Sequence, residues 1–172
     1  MRDNILSLAG ALVALGICIL ALPLRLPGMT LMQITPNWLL IWLVTWSLNR
    51  PVVIAVAAGI ALGLLQDGMT EVATVAPIPT HSLGLAITGG LTALLQKQRY
   101  IQEDFISVAL IVFGMAVLVE TIIAIQLLML GWELNQVWLA HQRIALASAI
   151  LSSLWSPVLH FPMSRFWRWL DR

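Results

Sequence analysis

The chain has 172 residues, 60% of them hydrophobic and 10% charged, with a net charge of +1 and a mean hydropathy of +0.92. A soluble domain of this length could not cover so much apolar side chain with so few charges, and the apolar residues fall in blocks of about twenty, the length that crosses a bilayer as helix. So small a net charge gives no bulk field to draw in nucleic acid or an acidic substrate. The single cysteine, Cys18, lies inside the first apolar block, where it reads as packing.

Six transmembrane segments are predicted. The first, Ile5–Leu22, exceeds the usual ~7–15-residue core of a cleaved signal and ends in Ala21-Leu22-Pro23 without a small-x-small site, so it reads as a retained span. A loop with Pro23, Pro27 and Gly28 follows. The second segment runs from Leu31 to Asn49, with Pro36 either kinking it or opening its main body at Asn37-Trp38. Asn49-Arg50-Pro51 makes a tight reversal, and Pro51 suits the first turn of the third segment, Val52–Gln66. A polar stretch from Asp67 to Thr80, with Pro77 and Pro79, leads to the fourth segment, Ser82–Gln96. After the charged Lys97–Asp104 connection come the fifth, Phe105–Leu130, and the sixth, Leu139–Phe161, with a short tail. One membrane domain, residues 1–172, fills the chain.

Six spans sort the basic residues. Arg2, Arg50, Lys97, Arg99, Arg165, Arg168 and Arg172 fall on one side, and only Arg25 and Arg143 on the other. The positive-inside rule then puts both termini in the cytoplasm. The opposite face carries Asp67, Glu71 and Glu133.

Several patterns stand out within the spans. Gly59 and Gly63 form a Gly-x-x-x-Gly pair, with looser pairs at Ala86/Gly90 and Ala145/Ala149. Small residues four apart let another backbone approach, either within the bundle or from a partner. Trp38, Trp42 and Trp46 form one aromatic stripe, because each step of four turns only ~40° round the helix. A stripe through the membrane reads as lipid-facing or core packing, or as a docking face for another helix. Glu120 is the one carboxylate deep in a span; it should be neutral or paired and face the bundle, with Ser148, Ser152 and Ser153 as hydrogen-bond partners by depth. Asp67, followed by Gly68 at an outer boundary, reads as a helix stop.

No pattern for catalysis, cofactor or metal binding is legible. His81, His141 and His160 are dispersed without a second ligand at i,i+4, and Gly-x-Ser-x-Gly, His-Glu-x-x-His and a phosphate loop are all missing from the sequence. The tail Arg165-Phe166-Trp167-Arg168-Trp169 mixes Arg with aromatics and reads as an interfacial anchor on an anionic leaflet.

The stretch from Pro36 to Arg99 resembles the rod-shape-determining MreD family of bacterial membranes. The resemblance is carried by Thr35-Pro36-Asn37-Trp38-Leu39-Leu40, a span ending near Trp46 and Arg50-Pro51, and then Ala58-Gly59-x-x-x-Gly63-Leu64-Leu65-x-Asp67-Gly68. It implies a non-catalytic scaffold subunit of the cell-elongation machinery in the bacterial inner membrane, without cofactors. Its implied partner is an MreC-like protein, and through it the MreB filament, the RodA glycan polymerase and a penicillin-binding transpeptidase. The implied fold is an all-α six-transmembrane-helix bundle similar to the substrate-binding subunits of energy-coupling-factor transporters. On this reading the partner-binding candidates are Trp38, Trp42, Trp46, Gly59, Gly63 and the family-matched Asp67. The rival is a transporter subunit that captures a vitamin-like solute in a polar outer pocket near Asp67–His81 and Glu133–His141.

Overall fold

The computed structural model describes residues 2–23, 30–69, 79–97 and 105–170. Six helices account for nearly all of them: α1 (Arg2–Ala21), α2 (Trp38–Ser47), α3 (Val52–Met69), α4 (Thr80–Lys97), α5 (Phe105–Met129) and α6 (Leu134–Leu170). Three helices are long and apolar enough to cross a membrane, over Val52–Met69, Phe105–Met129 and Leu134–Phe166. Large apolar side chains stand on the outside, among them Val53, Ile106, Leu110, Met129 and Leu154. Such an exterior suits hydrocarbon and not water.

Of the two readings of Pro36 in the second segment, the one in which it opens the main body at Asn37-Trp38 holds: within Leu31–Asn49 the helix is Trp38–Ser47, ~15 Å long at 1.5 Å per residue and about half the depth of a bilayer core. Its start is set by Pro36, which forces the preceding residue out of helical geometry, and by Asn37, whose side chain accepts the Leu40 N–H at 3.1 Å. The Asn37 N–H is itself received by Ser152 Oγ of α6 at 3.0 Å. Before it, Leu31 and Ile34 exchange two backbone hydrogen bonds of 3.0 and 2.9 Å around Met32 and Gln33, both with positive φ. After α2, Arg50 N–H bonds to the Ser47 carbonyl, and the Pro51 carbonyl accepts the Ala55 N–H to open α3.

The other boundaries move by smaller amounts. α3 runs past Asp67-Gly68 to Met69, so the expected helix stop lies inside the helix. α5 ends where Gly131 takes φ +88°, with the Trp132 N–H bonded to the Leu127 carbonyl and the Gly131 N–H to that of Leu128. That is the pattern for which glycine is favoured at a helix end. Glu133 then opens α6 by accepting the Val137 N–H, with its charge at the positive end of the helix dipole.

α6 extends both ways beyond the expected Leu139–Phe161, and at ~55 Å it exceeds any bilayer core. Pro157 and Pro162 lie inside it. Pro157 has no N–H to give the Ser153 carbonyl, and Ser156 Oγ donates to that carbonyl instead at 3.0 Å. The Arg165–Trp169 segment continues the helix; the side chains of Trp167, Arg168 and Trp169 lie outside the described residues, as do loop residues 24–29, 70–78 and 98–104.

α3 with α4, and α5 with α6, form two closely packed hairpins, and α2 runs between them, touching every other helix. All ten residues of α2 are buried. Val108, Val112, Met115, Ala116, Val119 and Ile123 form the face that α5 turns inward.

Candidate functional site

The tryptophan stripe lies in the middle of this packing. Trp38, Trp42 and Trp46 are exposed by only 5%, 5% and 9%. Trp42 and Trp46 stack with centroids 5.3 Å apart and planes at 14°. Trp38 meets Trp155 of α6 edge-on at 5.5 Å. The Trp42 indole N–H donates to the Ala11 carbonyl of α1 at 3.1 Å, in the midst of a continuous helix. At the far end the Arg50 guanidinium sits 5.2 Å over the Trp46 ring. One stripe therefore ties α1, α6 and the α2–α3 turn together, and the chain itself covers it.

The small-residue strip is also occupied from within. A Cβ added at Gly59 would overlap the Leu85 carbonyl oxygen and lie 2.7 Å from the Ala86 Cα. One at Gly63 would overlap the Ser82 backbone, and one at Gly89 the Ala55 carbonyl. Ala55, Gly59 and Gly63 thus form the floor on which the α4 backbone lies. Of the looser pairs, Ala145 and Ala149 are buried in α6, at 3% and 0% exposure.

Asp67 closes the end of that hairpin at which α4 begins. Its Oδ1 accepts the Thr80 hydroxyl at 3.1 Å and the His81 N–H at 3.0 Å, and its Oδ2 lies 3.2 Å from the same N–H. His81 Nδ1 stands 2.7 Å from Oδ1. Asp67 and His81 are 6% and 8% exposed and Thr80 is 1% exposed. α4 begins at Thr80, so a carboxylate from the preceding helix satisfies an N–H of its first turn and opposes the positive end of its dipole. Sequence reasoning found Asp67 but missed His81, which it set among dispersed histidines. The available signal was an acid in the last turn of one helix and a histidine in the first turn of the next, which a hairpin brings together. With both groups bonded to each other, this corner of the expected polar outer pocket is filled by the chain's own contacts. Among the described residues no group of three His, Cys, Asp or Glu side chains could hold a metal ion.

Glu120 is half-buried on the flank of α5, and no hydrogen bond joins it to the serines expected to pair with it. Ser152 accepts from Asn37, and Ser153 donates to the Ile150 carbonyl at 2.9 Å. Ser148 is buried. Thr121 returns its hydroxyl to the Val117 carbonyl at 2.7 Å.

Helices with apolar exteriors, joined by buried indole, carboxylate and hydroxyl contacts, define a helical membrane protein. The family model of the rod shape-determining protein MreD matches residues 1–170, and the chain belongs to that family. Membership implies a role in rod shape determination. No curated protein and no solved structure matches the chain.

Proposed function

We propose that this protein is a non-catalytic, multi-pass scaffold of the bacterial inner membrane that holds the cell-elongation machinery together. The observation that carries the reading is the match to the MreD family along almost the whole chain. The use of Asp67, His81, Ser152 and Trp42 to join helices supports it, because these polar groups serve the frame and leave no free set for chemistry among themselves. In this reading all six helices form one membrane domain, and the contacts run to an MreC-like protein and through it to MreB, RodA and a penicillin-binding transpeptidase. Both termini are cytoplasmic. The reading is tested by depleting the protein in its native host. Rods should round up and lysis should follow, with shape restored by the intact chain; unchanged rods with impaired uptake of a solute would overturn it.

A further inference from the structure

Glu120 stands about 22 Å from Phe105 along the 25-residue α5, with apolar helix on both sides. Among the described residues no hydrogen bond or ion pair reaches its carboxylate; the ion pair they form is Asp67–His81. Phe113, Val117 and Ala124, at i−7, i−3 and i+4, share its side of the helix and are likewise half-buried. This flank therefore lies at the edge of the chain's own packing, between the buried face through Val112, Val119 and Ile123 and the open face at Leu110 and Ile125.

Hydrocarbon supplies no hydrogen bonds, so a carboxyl group at this depth requires a donor from protein. Neither Thr121 nor Ser148, Ser152 or Ser153 hydrogen-bonds to it. A second copy docked on this flank about a twofold axis would bring Glu120 against Glu120, two carboxylates that repel unless a proton lies between them, whereas an amide or a cation pairs with the ionised group directly. We infer that the Phe113–Val117–Glu120–Ala124 flank receives a transmembrane helix of another protein that carries a hydrogen-bond donor, an amide or a cation, at the depth of Glu120. Ala124 leaves room for that helix to approach, and Phe113 and Val117 give it an apolar bed. The inference deepens the scaffold reading by assigning a partner face, and its test uses no other protein of the shape-determining system, so the two can fail separately.

The experiment reconstitutes the full chain, labelled with a fluorescent donor, in phosphatidylcholine vesicles with an acceptor-labelled transmembrane peptide of leucines bearing one central Asn. An all-leucine peptide is the control. The Asn peptide should associate about tenfold more tightly than the control, the scale of one hydrogen bond between membrane helices. Glu120→Leu should remove that difference, Glu120→Gln should retain most of it, and Ala124→Phe should weaken binding of both peptides. Equal binding of the two peptides, or a preference that survives Glu120→Leu, would overturn the proposal. So would Glu120-dependent energy transfer between differently labelled copies of the chain, because a second copy would then hold the carboxyl group. Unaltered thermal unfolding of Glu120→Leu in detergent separates a lost contact from a lost fold.

Discussion

α2 and α5 are built from the same kinds of residue, almost all apolar, yet every residue of α2 is buried while α5 leaves Phe105, Ile106, Leu110 and Met129 open at 64–84% exposure. In water such helices would both be core, because apolar surface is driven inside. In a bilayer the surrounding chains of lipid are as apolar as leucine, so hydrophobicity does not separate inside from outside. Length and side-chain shape do. α5, at 25 residues, can cross the membrane and face lipid along one side. α2, at ten residues, cannot, and its three indoles give it large surfaces that the neighbouring helices enclose, with the Trp42 N–H received by α1.

This contrast can be broken by mutation. Truncating the core helix should have the largest effect: Trp42→Ala is expected to cost about 3–5 kcal/mol, whereas Leu110→Ala, on the open side of α5, should stay within about 0.5 kcal/mol. Unfolding of both variants in one detergent checks this, and similar losses would mean that α2 is not the centre of the bundle. Asp67→Ala should follow at about 3 kcal/mol, because it leaves His81 and a first-turn N–H of α4 without their acceptor. Asp67→Asn, which keeps an acceptor but not the charge, should lose less in the same assay. Gly63→Ala is expected to cost about 1–3 kcal/mol by forcing α4 away from α3. Gly114→Ala, whose Cβ meets nothing within 4 Å, should be neutral or slightly stabilising. Trp42→Phe should cost about 1 kcal/mol for the bond to the Ala11 carbonyl plus a little lost packing. A value near zero would show that the carbonyl finds another donor.

Much of the helical order was readable from the sequence. Apolar blocks, the Asn49-Arg50-Pro51 reversal and the charged Lys97–Asp104 connection marked off six helices in the right sequence. Pro36 and Asn37 marked the true start of α2 as one of two readings, whereas the turn before it was harder, because Leu31-Met32-Gln33-Ile34 is as apolar as many spans and its two left-handed residues are not glycines. The expected sixth segment already ran through Pro157, where the Ser156 hydroxyl turns back on the Ser153 carbonyl, but the continuation of α6 through Pro162 was hidden. At the site level, small residues and tryptophans identified contact strips but not what contacts them. An i,i+4 pattern is the same whether the opposing helix comes from the chain or from a partner. The Asp67–His81 pair needed the α3–α4 hairpin in three dimensions, as its members are fourteen positions apart.

The scaffold role is tested most directly by purifying the intact protein from its native membranes in mild detergent and identifying every protein retained. The account predicts an MreC-like protein together with wall-synthesis enzymes, in amounts comparable to the bait. Recovery of ATPase subunits in their place, with a bound small solute, would contradict it and make the protein a transport component.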